Sequence, residues 1–158
     1  MTPLEEKTRA HSTIANANET WLDYKGAWVT YVIIITFGHL FLLSLPFCDT
    51  ATSWTLTTVI HNLAMYVILH HLKGAPFETY DEGKCRRLTH WEQIDAGEMA
   101  TGTRKFLTLA PIVLFILASY YSQYHHVHFV VNFLSLLLGI LPKMPEVYGW
   151  RLFGINKY

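Results

Sequence analysis

Charge is what this sequence has least of. Asp, Glu, Lys and Arg make up 15% of its 158 residues, against roughly a quarter in an ordinary soluble domain. The shortage is concentrated: none of the four occurs from Gly26 to Cys48, from Thr50 to Leu72, or from Phe106 to Pro142. A soluble helical bundle would show a polar stripe recurring every 3.6 residues. Val32-Ile33-Ile34-Ile35 and Phe133-Leu134-Ser135-Leu136-Leu137-Leu138 leave little room for one. The net charge is zero and no basic tail or stripe exists, which excludes nucleic acid as a partner. The first 25 residues lack the basic region, apolar core and small-residue cleavage site of a signal peptide. This polar arm is therefore expected to stay, with the first apolar run acting as its own insertion signal. A Gly-x-Ser-x-Gly elbow and a phosphate-cradling Gly-rich loop are also missing; Gly149-Trp150-Arg151-Leu152-Phe153-Gly154 has neither the spacing nor a preceding strand.

What is present is length without charge. A membrane-crossing helix needs about 20 apolar residues, and the third run, Phe106 to Pro142, suits a tight pair of helices. The expected fold is all-α, an integral membrane protein with four transmembrane helices arranged as two antiparallel hairpins. Residues 1–25 form the arm and 26–158 the membrane domain. The spans are placed at 27–47, 52–72, 106–122 and 127–142, with a polar loop at 73–105 and a tail at 143–158. Lys7, Arg9 and Lys25 lie in the arm; Lys73, Lys84, Arg86, Arg87, Arg104 and Lys105 in the loop; Lys143, Arg151 and Lys157 in the tail. The connectors within each hairpin hold no Lys or Arg. The positive-inside rule then puts arm, loop and tail, and both termini, in the cytosol. Cys48 and Cys85 fall on opposite sides of the membrane, so no internal disulfide is expected. Trp28, Tyr31, Trp54, Tyr120, Tyr121 and Tyr124 lie near span ends, where aromatic belts form.

The loop has one local signal. Thr89-His90-Trp91-Glu92 fits a capping box, predicting a helix to about Ala96. Its Leu88, Trp91 and Ile94 share a face, which suits the membrane surface or a partner.

Chemistry is hard to find. Among nine histidines, His61 and His70 are nine residues apart and His70-His71 point to different faces. His125, His126 and His128 sit at a turn, where interface polarity accounts for them. Cys85 has Lys84 and Arg86 beside it, and cations lower a thiol pKa, but no helix start or paired His accompanies it. No acid, Lys or Arg enters a span, which disfavours ion-coupled transport; His61-Asn62 is expected to bond to a neighbouring helix. No catalytic residue, metal or cofactor is predicted. Asn18-Glu19-Thr20 matches a glycosylation acceptor that the topology places in the cytosol. Asn16 and Asn18 remain as amide side chains, able to donate and accept, just before the membrane. Thr8, Ser12 and Thr13 could be phosphorylated, for which arm exposure is the sole argument. A His-dependent membrane enzyme and a small channel or transporter lined by His61-Asn62 are the alternatives at this stage.

Long ordered blocks carry a resemblance. Trp54-Thr55-Leu56-Thr57-Thr58-Val59-Ile60-His61-Asn62, Lys73-Gly74-Ala75-Pro76-Phe77-Glu78-Thr79, Leu88-Thr89-His90-Trp91-Glu92-Gln93, Arg104-Lys105-Phe106-Leu107-Thr108 and the ending Arg151-Leu152-Phe153-Gly154-Ile155-Asn156-Lys157-Tyr158 resemble the ORM/ORMDL proteins. The likeness runs from about Asn16 to the last residue; residues 1–15 do not clearly match, and Ala75 stands where Thr is usual. The resemblance implies a four-span protein of the endoplasmic reticulum membrane, not an enzyme. It further implies binding to the serine palmitoyltransferase complex, and restraint of that enzyme when ceramide is plentiful. The ceramide-binding residues so implied are Asn18 in the arm and His90 in the loop.

Overall fold

A computed structural model describes residues 22, 24, 26–74 and 88–149. Asn16, Asn18, Cys85 and the end of the tail lie outside them. The described chain is helical: α1 Ala27–Leu43, α2 Thr50–Tyr66, α3 His90–Gln93, α4 Gly102–Tyr121 and α5 His126–Ile140. A π-helical turn, Val67–His71, extends α2, and a 3-10 turn, Ile94–Gly97, extends α3. Two helical stretches, Gly102–Tyr121 and His126–Lys143, are long and apolar enough to cross a membrane; the apolar α1, at 17 residues, is shorter.

The boundaries differ from the sequence expectation for local reasons. The first helix stops at Leu43 rather than 47, because the residue before Pro46 is pushed out of helical backbone. The second starts at Thr50, where the Asp49 side chain caps it by accepting from the Thr52 amide at 3.3 Å. That hydrogen bonding draws the Asp49 pKa below the ordinary carboxylate value. A shift of the same size occurs at α4. It begins at Gly102, four residues before the expected start, because Thr101 caps it by accepting from the Arg104 amide at 3.4 Å. Arg104 and Lys105, expected in the loop, are helical. The helix has 20 residues, a rise of about 30 Å, close to the hydrocarbon thickness of a bilayer.

The helix α2 is the centre of the bundle, packed against α1, α4 and α5, and it is built inside out. Its buried residues are Ser53, Thr55, Thr57, Thr58, His61 and Asn62. On the outside of the bundle, Ile34, Phe37 and Phe41 of α1 and Leu134 of α5 are exposed. This arrangement is compatible with a membrane, where helices associate through packing and interhelical hydrogen bonds rather than by burying apolar surface. Ser53, Thr57 and His61 recur at spacing four toward α1, where His39 Nδ1 meets the Thr57 hydroxyl at 2.9 Å. Thr58 and Asn62 do the same toward α4 and α5.

Close approach between helices depends on Gly139. A Cβ there would lie 3.3 Å from the Asn62 side chain and 3.4 Å from Pro111 Cβ, so α5 seats against both α2 and α4 through this one missing atom. Gly139→Ala is expected to cost about 1 kcal/mol from this crowding, read as a lowered midpoint of thermal unfolding in detergent.

Candidate functional site

The residues singled out from sequence fall into two regions, the bundle interior and the layer that closes it beside the loop. In the interior, His61 Nδ1 donates to Asn62 Oδ1 at 2.9 Å. That leaves His61 Nε2 as the acceptor for the Tyr31 hydroxyl of α1. Asn62 Nδ2 donates to Ser135 Oγ of α5 at 2.9 Å. The His61-Asn62 pair thus ties α1, α2 and α5 together, as expected of an interhelical bond. At the far end Thr55 is hydrogen-bonded to His128 Nδ1 at 3.0 Å and accepts from Asn132 Nδ2 at 3.4 Å. His125 and His128 line a small cleft with Asp49. Among the described residues no three His, Cys, Asp or Glu side chains converge as a metal site would require.

The second region is built on α3. Its capping box forms as the spacing predicts: Glu92 Oε2 accepts from the Thr89 amide at 2.7 Å and Thr89 Oγ1 from the Glu92 amide at 3.4 Å. Where this helix goes is a correction. Trp91 and Ile94 are 3% and 1% exposed; they face neither a membrane surface nor a partner. They are buried in one cluster with Leu22, Tyr31, Leu69 and Leu107. Leu88, expected on the same face, stays exposed. The surface cost of a free helix of one turn explains this: so short a helix is held by tertiary contacts or not at all.

Three side chains hold it. Arg104, 2% exposed, donates through one terminal nitrogen to the Trp91 and Ile94 carbonyls at 2.8 and 2.9 Å. Its guanidinium lies 4.9 Å from the Trp91 ring and 5.7 Å from the Tyr148 ring. Gln93 Nε2 donates to the Gly74 and Leu88 carbonyls, both at 3.1 Å. With the Gly74 amide on the Leu88 carbonyl and the bridge between Lys73 and Thr89, this closes the base of the loop. Tyr148 donates to the Glu92 carbonyl at 3.3 Å. It can do so because Gly97, at φ +89°, has no Cβ, which would come within 3.3 Å of the Tyr148 hydroxyl. His90, the first residue of α3, is partly buried. Its neighbour Trp91 also meets the His70 ring of the α2 extension at 5.6 Å.

Sequence reasoning passed over Arg104, Pro111 and Lys143. Lys143, also buried, donates from Nζ to the Leu107 carbonyl at 2.7 Å. That carbonyl lacks a helical partner because Pro111, four residues on, has no amide hydrogen. The signal was present as a proline inside the third apolar run and a lysine just past its end, but only folding brings them together.

Comparison with known proteins adds the following. The sequence profile described as the ORMDL family matches residues 16–151. The chain is 54% identical over 149 residues to ORM1-like protein 2 of Mus musculus, covering 94% of this chain and 97% of that protein. Over the same shares it is 52% identical to ORM1-like protein 1 and 51% identical to ORM1-like protein 3 of Homo sapiens.

Proposed function

The chain belongs to the ORMDL family, and from that premise we propose that it is a non-catalytic regulatory subunit that binds serine palmitoyltransferase and inhibits it in response to ceramide. It resides in the endoplasmic reticulum membrane, crossing four times with both termini cytosolic. The division of Lys and Arg among arm, loop and tail supports that orientation.

One observation carries the reading. Leu22, at the end of the arm, is buried in the same cluster as Trp91 and Ile94 of α3. Asn18 lies four residues before Leu22, a reach of at most roughly 14 Å, and His90 directly precedes Trp91. Arm and loop are therefore tied at one end of the bundle, where an uncharged amide-diol headgroup meets groups that both donate and accept. Apolar helix faces lie below it for the tails. Ceramide held between this face and the enzyme locks the arm in an inhibitory pose. The inhibition it adds cannot exceed its preference for that pose over the free one.

Asn18→Ala is expected to co-purify with the enzyme as the unaltered chain does, while the ceramide concentration needed for half-inhibition rises about tenfold, the loss of one to two buried hydrogen bonds. Affinity capture with added ceramide, followed by assay of the captured enzyme, gives both values. Unchanged inhibition removes Asn18 from the site, and failure to capture the enzyme removes the regulatory reading itself.

A further inference from the structure

At the end of the bundle away from α3, His128 lines the small cleft with Asp49, Ser122, Gln123 and His125. Its Nδ1 meets the Thr55 hydroxyl at 3.0 Å, and Thr55 in turn accepts from Asn132 Nδ2 at 3.4 Å. We propose that these three residues are a proton-operated switch: a proton taken up by His128 at the cleft reverses both hydrogen bonds and turns over the Asn132 amide. Acidity on that side of the membrane is thereby passed into the contact between α2 and α5. In the orientation proposed above that side is the lumen; the switch itself needs neither ceramide nor the enzyme.

The hydrogen count fixes the direction of the bonds. A threonine hydroxyl has one hydrogen to give. Thr57 and Thr58 spend theirs on the carbonyls four residues back, Ser53 at 2.7 Å and Trp54 at 3.0 Å. Thr55 makes no such bond; its hydroxyl is paired with His128 and Asn132. Asn132 Nδ2 can donate but not accept, so the buried Thr55 hydrogen is satisfied by His128 Nδ1. That nitrogen then carries no hydrogen of its own. The imidazole is neutral in this state, with Nε2 left for the cleft.

Protonation breaks the arrangement. With a hydrogen on Nδ1, both neighbours of Thr55 donate to it, and the Thr55 hydrogen loses its acceptor. The acceptor it needs is already in place. Asn132 is fully buried, and its Oδ1 has no hydrogen-bond partner. The oxygen and nitrogen of an amide are alike in shape and opposite in hydrogen bonding, so turning the group over needs no repacking and brings Oδ1 to the Thr55 hydroxyl. The bonds then run from His128 to Thr55 to Asn132, led by a charged donor. Nδ2 takes the unpartnered place, so neither state satisfies the whole amide and the proton decides between them.

The other histidines on α2 and α1 are wired differently. Thr57 lies about 200° round α2 from Thr55, and its hydrogen is already spent, so His39 Nδ1 must be the donor at 2.9 Å. A second proton on His39 goes to Nε2 and leaves that bond alone. His61 has both nitrogens engaged inside the bundle, with Asn62 and Tyr31. An imidazole reached by water changes charge between about pH 5 and 8, and His128 has the cleft. Around it, the Asp49 carboxylate at the head of α2 favours uptake. His125, whose ring centre is 5.7 Å away, and His126 stacked on His125 oppose it, as does the positive end of α5. The end of α4 adds Ser122 and Gln123, which do not titrate.

The test follows His128 and Asn132 by nitrogen NMR of the full chain in phosphatidylcholine nanodiscs, from about pH 8 to about pH 5. Val127–His128 and Val131–Asn132 are the sole Val–His and Val–Asn pairs in the sequence, so pairwise labelling assigns both. His128 Nδ1 should pass from bare to protonated, and the Asn132 side-chain amide signal should shift with the same midpoint. His39 Nδ1 should carry hydrogen throughout. Thr55→Val keeps the shape without the hydroxyl and should abolish the Asn132 shift while His128 still titrates; Thr55→Ser should preserve it. The proposal is overturned by an Asn132 signal that stays fixed as His128 titrates, by a shift that survives Thr55→Val, or by a His128 Nδ1 that does not change across the range. Where Thr55→Val does not fold, the half-buried His128→Gln gives the same decision: the Asn132 shift should vanish, and its persistence overturns the switch.

Discussion

Arg104→Met is expected to release α3 from the bundle while leaving the four long helices folded. The substitution keeps most of the apolar stem and removes the donors. The Trp91 and Ile94 carbonyls, now reached by the guanidinium at 2.8 and 2.9 Å, would be left buried without a partner. Each such group costs about 1–3 kcal/mol, and hydrogen bonds from a charged donor stand at the upper end, so the layer loses about 2–5 kcal/mol. The cation–aromatic contacts with Trp91 and Tyr148 go with it. Hydrogen exchange over residues 88–101 should rise by two or more orders of magnitude, with little change in α2 or α5. Arg104→Lys separates charge from geometry. A single ammonium on a shorter stem cannot reproduce the guanidinium fork stacked on two rings, so exchange should be intermediate. If Arg104→Met leaves the exchange of α3 unchanged, Arg104 is not what holds it. Because His90 opens this helix, the same substitution should blunt the ceramide response without touching either proposed ligand residue.

The second large effect concerns Lys143. Burying an ammonium is expensive, and this one is retained because Pro111 leaves the Leu107 carbonyl without its usual amide partner. A buried carbonyl deprived of its helical partner must be satisfied by a neighbour, and Lys143 Nζ supplies the bond at 2.7 Å. Lys143→Met should therefore destabilise the protein by about 2–3 kcal/mol. Pro111→Ala restores an amide hydrogen at the right position, so in that background the same lysine substitution should cost at least about 1 kcal/mol less. The coupling between the two, measured as a double-mutant cycle of unfolding in detergent, tests the pairing. Strict additivity would mean that Lys143 contributes through the Trp91 ring, 5.8 Å away, and not through the proline-freed carbonyl.

The legible parts were those that depend on neighbours in the chain. Three stretches without charge predicted four long helices, and each appears within a few residues of its expected place. Asp49, Thr89 and Thr101 are caps that act over three residues, and the Thr89-Glu92 box was readable for that reason. The start of α4 was missed because Arg104 and Lys105 were read as loop charges. Arg104 is helical because Thr101 caps the helix three residues before it, but it is buried because the Trp91 and Ile94 carbonyls, ten or more residues earlier, and the Trp91 and Tyr148 rings receive it, and nothing local announces that burial.

The sequence by itself determined the helices, their all-α class and the family. These follow from hydropathy, capping chemistry and long matching blocks, none of which needs a second segment of chain. Only the tertiary structure decided which way each side chain faces. It turned the threonines, His61 and Asn62 of α2 inward, laid Trp91 and Ile94 on the chain's own bundle, and paired Lys143 with the carbonyl freed by Pro111. A helix in lipid does not reveal its buried face by being apolar there, because the outward face is apolar too. Interhelical hydrogen bonds and the close approach of small residues choose that face, and both exist only once the helices have met.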